Sequence, residues 1–151
     1  MSKLGFYDLC RLLGKALVTD DELFSRFSGK AGLVGAPFTD RESDTSPWTG
    51  SGKNERPSDV VVYATTEATG RRWAIHIRNL VRSARLLPEQ ATDYPVRAQD
   101  MAASRGYDEW KTVLLVSQER LSDVAGLTGP FDAVILHHET SDRIPAYLDA
   151  L

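Results

Sequence analysis

The chain is poor in the residues that build covalent or metal frameworks. Cysteine occurs once and histidine only 3 times in 151 residues. Cys10 has no second thiol to pair with, so an internal disulfide is excluded, which fits a reducing, cytoplasmic setting. No Cys/His set has the spacing of a zinc site. No apolar run reaches membrane-spanning length, and no membrane partner is expected. The opening stretch MSKLGFYDLCRLLGKALV lacks a sustained apolar core followed by a small-residue cleavage site, so it does not read as a signal peptide. Basic charge is not in excess either. The net charge of -3 argues against a protein that coats nucleic acid over its whole surface, while leaving room for a local basic face.

What is present is ordinary for a globular protein: 42% hydrophobic and 26% charged residues. A chain of 151 residues is most simply one domain, spanning 1–151, that buries roughly two-thirds of its unfolded surface. Leu4, Leu9, Leu12, Leu13 and Leu17 recur at helical spacing, giving a first helix over about Phe6 to Leu17 with Cys10 as a small buried hydrophobe. TDDE at Thr19 to Glu22 fits a capping box opening a second helix that ends near Gly29. From about 32 to 57 the composition turns to Gly, Pro, Ser, Thr and Asp, and an irregular loop is expected, with Trp48 pinning part of it.

SDVVVYATT then reads as a buried strand and RWAIHIRN as the next, joined by TEATGRR into an antiparallel hairpin. On the second strand Trp73, Ile75 and Ile77 share one face, and Ala74, His76 and Arg78 the other. Pro88 opens a helix to about Ser104, KTVLLVS and FDAVILH are further core strands, and SDRIPAYLDAL is a closing helical segment broken at Pro145. The interleaving favours an α/β fold, with a central mixed sheet of about four strands flanked by helices. TGSGKNE around Lys53 fails as a phosphate loop, because Pro47 stands where the first Gly should be and Asn54 replaces Ser/Thr.

NERPSDVVV, RRWAIHIRN, PEQATDY and FDAVILHHET together resemble a PD-(D/E)XK nuclease-superfamily domain over most of the chain. The resemblance implies a restriction-endonuclease-like core. In that family an early acid, an Asp at a strand start and an acid-x-Lys pair on the neighbouring strand hold magnesium and activate water against a phosphodiester. Carried over, Glu55 matches the early acid and Asp59 the Asp, the two implied metal ligands, while Gln90 and Tyr94 match a Gln-x-x-x-Tyr pattern on the following helix. The acid-x-Lys pair falls on Arg78 and Leu80. A permanent cation replaces the metal-binding acid and an aliphatic side chain replaces the lysine. An ion pair between Arg78 and Asp59 is therefore expected, with magnesium as cofactor only if a working site survives and no cofactor otherwise.

Other polar residues keep their plainer readings. His76 is either a substitute ligand, in an endonuclease whose site has migrated to Glu55, Asp59 and His76, or a satisfied interior group. His137 and His138, adjacent on a strand, would point oppositely and could not share one metal. Between Glu67 and Glu89 the chain holds no acid but carries Arg71, Arg72, Arg78, Arg82 and Arg85. Arg71, Arg72, Arg82 and Arg85 are candidate phosphate contacts, for DNA or another nucleic acid. The alternative is a surface for an acidic protein partner or a second copy of the chain.

Overall fold

The computed structural model describes residues 5–45, 59–81 and 85–145. It is an α/β domain with a five-stranded mixed sheet. Helix α1 (Phe6–Thr19) and helix α2 (Asp21–Ala31) meet at a tight corner. Asp20 is the cap of α2, accepting from the Glu22 and Leu23 N–H groups, whereas Thr19 bonds back to the Lys15 carbonyl. The capping box was thus expected one residue too early. The Asp20 carboxylate, also paired with Arg143, satisfies two orphan N–H groups, and Thr19 finds its acceptor inside the helix it ends.

Strand β1 (Phe38–Asp44) lies within the segment expected to be irregular, so the sheet has one strand more than the sequence suggested. The cause is physical. FTDRESD carries no β-branched apolar run, and Thr39, Asp40, Glu42 and Ser43 are exposed. The strand is held by backbone pairing to its neighbour and interrupted by a bulge between Thr39 and Glu42. It also lies close under α1. A Cβ on Gly14 would stand 2.9 Å from the Ser43 Oγ, so glycine there permits the contact.

Strands β2 (Val60–Thr66) and β3 (Arg72–Leu80) form the expected antiparallel hairpin, with Val60 opposite Ile77. Helix α3 (Pro88–Arg105) carries the chain over to β4 (Glu109–Val116), parallel to β3. A 3-10 helix (Gln118–Leu127) leads to β5 (Ala133–Leu136), parallel to β4, and a short helix α4 (His138–Ser141) follows. The sheet order is simply β1-β2-β3-β4-β5. The short helix α4 ends at Ser141, where the closing helical segment was expected to begin, and 142–145 are turn and irregular; the rest of that segment lies outside the described residues, as do Trp48 and Lys53.

Alternation along the strands sorts the core into two sides. Val60, Val62, Ile75, Ile77, Val113 and Leu115 pack with Leu13, Leu17 and Phe27 of α1 and α2. On the other face Leu80, Leu114 and Val116 pack with Ala91 and Tyr94 of α3, and Val61, Tyr63 and Ala74 with Met101. Three layers result, and the hairpin sits in the middle of the sheet. None of the described helices is long and apolar enough to cross a membrane.

Candidate functional site

The pairing of Val60 with Ile77 sets Asp59, just before β2, beside Arg78 on β3. The Arg78 Nη1 donates to Asp59 Oδ2 over 2.7 Å, and the Asn79 backbone N–H donates to the same oxygen over 2.8 Å. Arg78 also donates through Nη2 to the Arg85 carbonyl, 2.9 Å away, tying the segment before α3 to the sheet. The pair is sheltered, with side-chain exposures of 13% for Arg78 and 14% for Asp59. The ion pair expected from the sequence is present.

Burial raises the Asp59 carboxyl above its ordinary value, against the lowering pull of Arg78 and of the Asn79 N–H. Burial also works against charge on Arg78, but Asp59 leaves the guanidinium held more firmly protonated than usual. The pair is ionised, because arginine does not give up its proton and a neutral carboxyl beside it would leave a sheltered cation uncompensated.

Around the pair, Tyr94 is 2% exposed and its hydroxyl accepts weakly from the Asp59 N–H at 3.4 Å. The Arg97 guanidinium lies 4.9 Å from the Tyr94 ring centroid. Gln90 is not turned to the pair: its carbonyl accepts from the Leu87 N–H at 3.1 Å and caps α3. Leu80 is fully buried in the cluster with Leu86, Tyr94, Leu114 and Phe131. The position that a lysine would hold is therefore part of the core.

These residues do not fit a magnesium ion. Asp59 is a single carboxylate already bonded to a cation, Arg78 is repulsive to metal, and Leu80 supplies no donor. Among the described residues no three His, Cys, Asp or Glu side chains are grouped to hold a metal. Glu55 lies outside the described residues.

His76 is fully buried. Its Nε2 lies 3.0 Å from the Tyr107 hydroxyl, which gives its single proton to the Ala98 carbonyl, so the histidine must be the donor. It is the satisfied interior group, and burial lowers its pKa to about 3. A migrated site that includes His76 therefore loses that ligand. His137 and His138 are not on a strand, contrary to expectation: His137 is in the turn after β5, and His138 opens α4. His137 is buried with Nε2 3.1 Å from Asn79 Oδ1, while His138 is exposed. Asn79 reaches the Cys10 Sγ over 3.7 Å, and burial pushes that thiol up to about 12, away from nucleophilic use.

This Cys10–Asn79–His137 link was missed in the sequence, although a signal existed. Asn79 continues the apolar face of Trp73, Ile75 and Ile77, where an amide needs a buried partner.

The arginines do not make one continuous face. Arg71 pairs with Glu109 at 3.2 Å. Arg72 bonds the Asp40 carbonyl, Thr65 Oγ1 and Glu42. Both lie at the opposite end of β3 from Arg78, roughly 20 Å away at strand pitch. Arg85 is exposed near the ion pair, and Arg82 lies outside the described residues. The cause is the extended strand, which separates in space what is close in sequence. Compared with known proteins, the chain matches no protein-family model and no curated protein.

Proposed function

We propose that the chain is a nuclease-like domain of the PD-(D/E)XK type whose catalytic site has become a structural ion pair. In this reading it holds nucleic acid by its phosphate backbone without cutting it. One observation carries the reading: the Arg78 guanidinium sits 2.7 Å from Asp59, so a fixed cation neutralises the carboxylate that a metal would need. The sheet supports it too, with an acid at the start of β2 facing β3, then a helical crossover to a parallel β4. Arg85, exposed beside the pair, is the described cation placed to meet a backbone phosphate, with Arg82 its expected neighbour.

Purified protein should not nick plasmid DNA in magnesium or manganese above a mock preparation. Nicking that travels with the protein and disappears in Asp59→Asn overturns the reading. Binding to a generic duplex should be weak, indifferent to sequence and steeply salt-dependent, and Arg85→Ala should lower the salt slope by about one. A stable dimer in light scattering with no duplex affinity would replace this reading by an interaction module for an acidic partner or a second copy.

A further inference from the structure

Helix α2 carries a stripe of charge along one side. Glu22, Arg26 and Lys30 stand four residues apart and so fall on a single face. Opposite them runs the segment 138–144, made of α4 and the turn after it, and it meets the stripe charge for charge. Lys30 pairs with Glu139. The Arg26 guanidinium grips the Asp142 carboxylate through bonds of 2.9 and 3.1 Å, and donates to the Glu139 carbonyl at 2.8 Å. Arg143 pairs with Glu22 at 3.0 Å and with the Asp20 cap through bonds of 2.7 and 2.8 Å. The two series run in opposite directions, as a zipper of ion pairs.

The apolar hold on this segment is small. Its buried side chains are Thr140 and Ile144, and of these Ile144 joins the apolar core. A groove of about 330 Å³ lies between α2, β5 and α4, lined by Arg26, Phe27, Lys30, Ile135 and Glu139, so the charged side chains there span a gap. A helix of four residues does not persist alone in water. The root of the segment is fixed, in contrast: His137 is fully buried, with its Nε2 3.1 Å from the Asn79 side chain.

We propose that residues 138–144 form an electrostatic strap, hinged at His137, that leaves α2 as ionic strength rises while the sheet stays folded. The reason is a difference in screening. Every side chain in the zipper is at least 21% exposed, so mobile ions weaken its pairs, whereas burial of apolar surface does not depend on that screening. Release withdraws Ile144 from the core and uncovers Ile135 on the edge strand β5. The strap begins at His138, so one wall of a cleft of about 530 Å³, which Gln118 and Glu119 also line, moves with it. The inference uses neither Asp59 nor Arg78, and it stands or falls apart from the ion-pair reading.

The test is amide hydrogen exchange on the whole chain at neutral pH, in sodium chloride raised from about 0.1 to about 1 M. Over that range the screening length falls from about 10 to about 3 Å. The amides of Ser141, Arg143 and Ile144, bonded to the His137 and Thr140 carbonyls, should exchange about tenfold faster, the factor that a few surface pairs supply together. Amides of β3 and β4 should keep their rates and serve as the internal reference. The methyl signals of Ile135 and Ile144 should move over the same range of salt. Arg26→Glu should bring the low-salt exchange of the strap to its high-salt rate, and Asp142→Arg in the same molecule should slow it again. Unchanged rates at 141–144 in high salt, an acceleration shared by β3 and β4, or no recovery in the double variant would each overturn the proposal. Should Arg26→Glu fail to fold, the wild-type salt series decides. No nucleic acid enters any of these measurements, so duplex binding is judged separately.

Discussion

The two ends of β3 carry arginines in very different circumstances. At its start, Arg71 is 54% exposed and pairs with Glu109, while Arg72, half-buried, pairs with the open carboxylate of Glu42. At its far end, Arg78 is enclosed with Asp59 and also bonded to a backbone carbonyl. The same side chain is a solvated surface group at Arg71 and part of the interior at Arg78. Depth, not residue type, sets what each one is worth. A charge pair in water gains little over its separated hydration, whereas breaking a sheltered pair strands the remaining charge.

The sharpest way to test the contrast is to remove the inner cation. Arg78→Leu should cost about 3–5 kcal/mol, since Asp59 keeps its charge in a sheltered place. Adding Asp59→Asn to the same molecule should return a large part of that loss, which urea midpoints at constant slope would measure. A loss under about 1 kcal/mol for the single variant would put Arg78 with the surface arginines. Next in size is Leu80→Ala. Truncation in the cluster with Tyr94, Leu114 and Phe131 should cost about 2–5 kcal/mol, read the same way. A near-neutral result would mean that the cluster closes over the gap that the truncation leaves.

Acid should weaken the same end of the sheet. Burial, helped by Arg97, holds His76 at about 3, and burial, helped by Arg120, holds His137 at about 4. Both lie below the ordinary 6.5, so between 6.5 and about 4 the unfolded chain takes up protons that the folded chain refuses. Stability present above pH 6.5 is then lost as pH falls, by about 1.4 kcal/mol per pH unit for each histidine. Urea titrations from pH 7 to 5 should show this slope, and His76→Phe should remove one histidine's share of it. An unchanged slope in that variant would mean that His76 is already protonated in the fold. Smallest of all is Arg71→Ala, where the exposed pair with Glu109 should contribute no more than about 1 kcal/mol. A larger loss would erase the difference between the two ends.

Much of this was legible before the structure. The β-branched run of Val60 to Val62, the alternation from Trp73 to Arg78 and the proline at the start of α3 are local signals, and each element formed where they stood. Asp59 and Arg78 could be paired because a hairpin's register follows from its turn and its apolar faces. Strand β1 was not legible, because its hydrogen bonds come from the exposed edge of β2 and its own side chains carry no apolar pattern. Nor was Gln90 as a cap, since the same Gln and Tyr spacing serves a helix terminus and a site equally well.

By itself the sequence determined the α/β class, the central hairpin, the lone thiol and the cation that stands opposite Asp59. These depend on residue identity and on periodicity along the chain. Only the tertiary structure decided that Leu80 is enclosed, that the arginine run divides between two ends of a strand, and that Asn79 joins Cys10 to His137. It also decided that polar side chains of the 3-10 helix and α4 line one cleft. Those facts rest on contacts between elements far apart in sequence, and a strand's extended rise carries neighbouring residues to opposite ends of a molecule while a parallel sheet brings distant ones together.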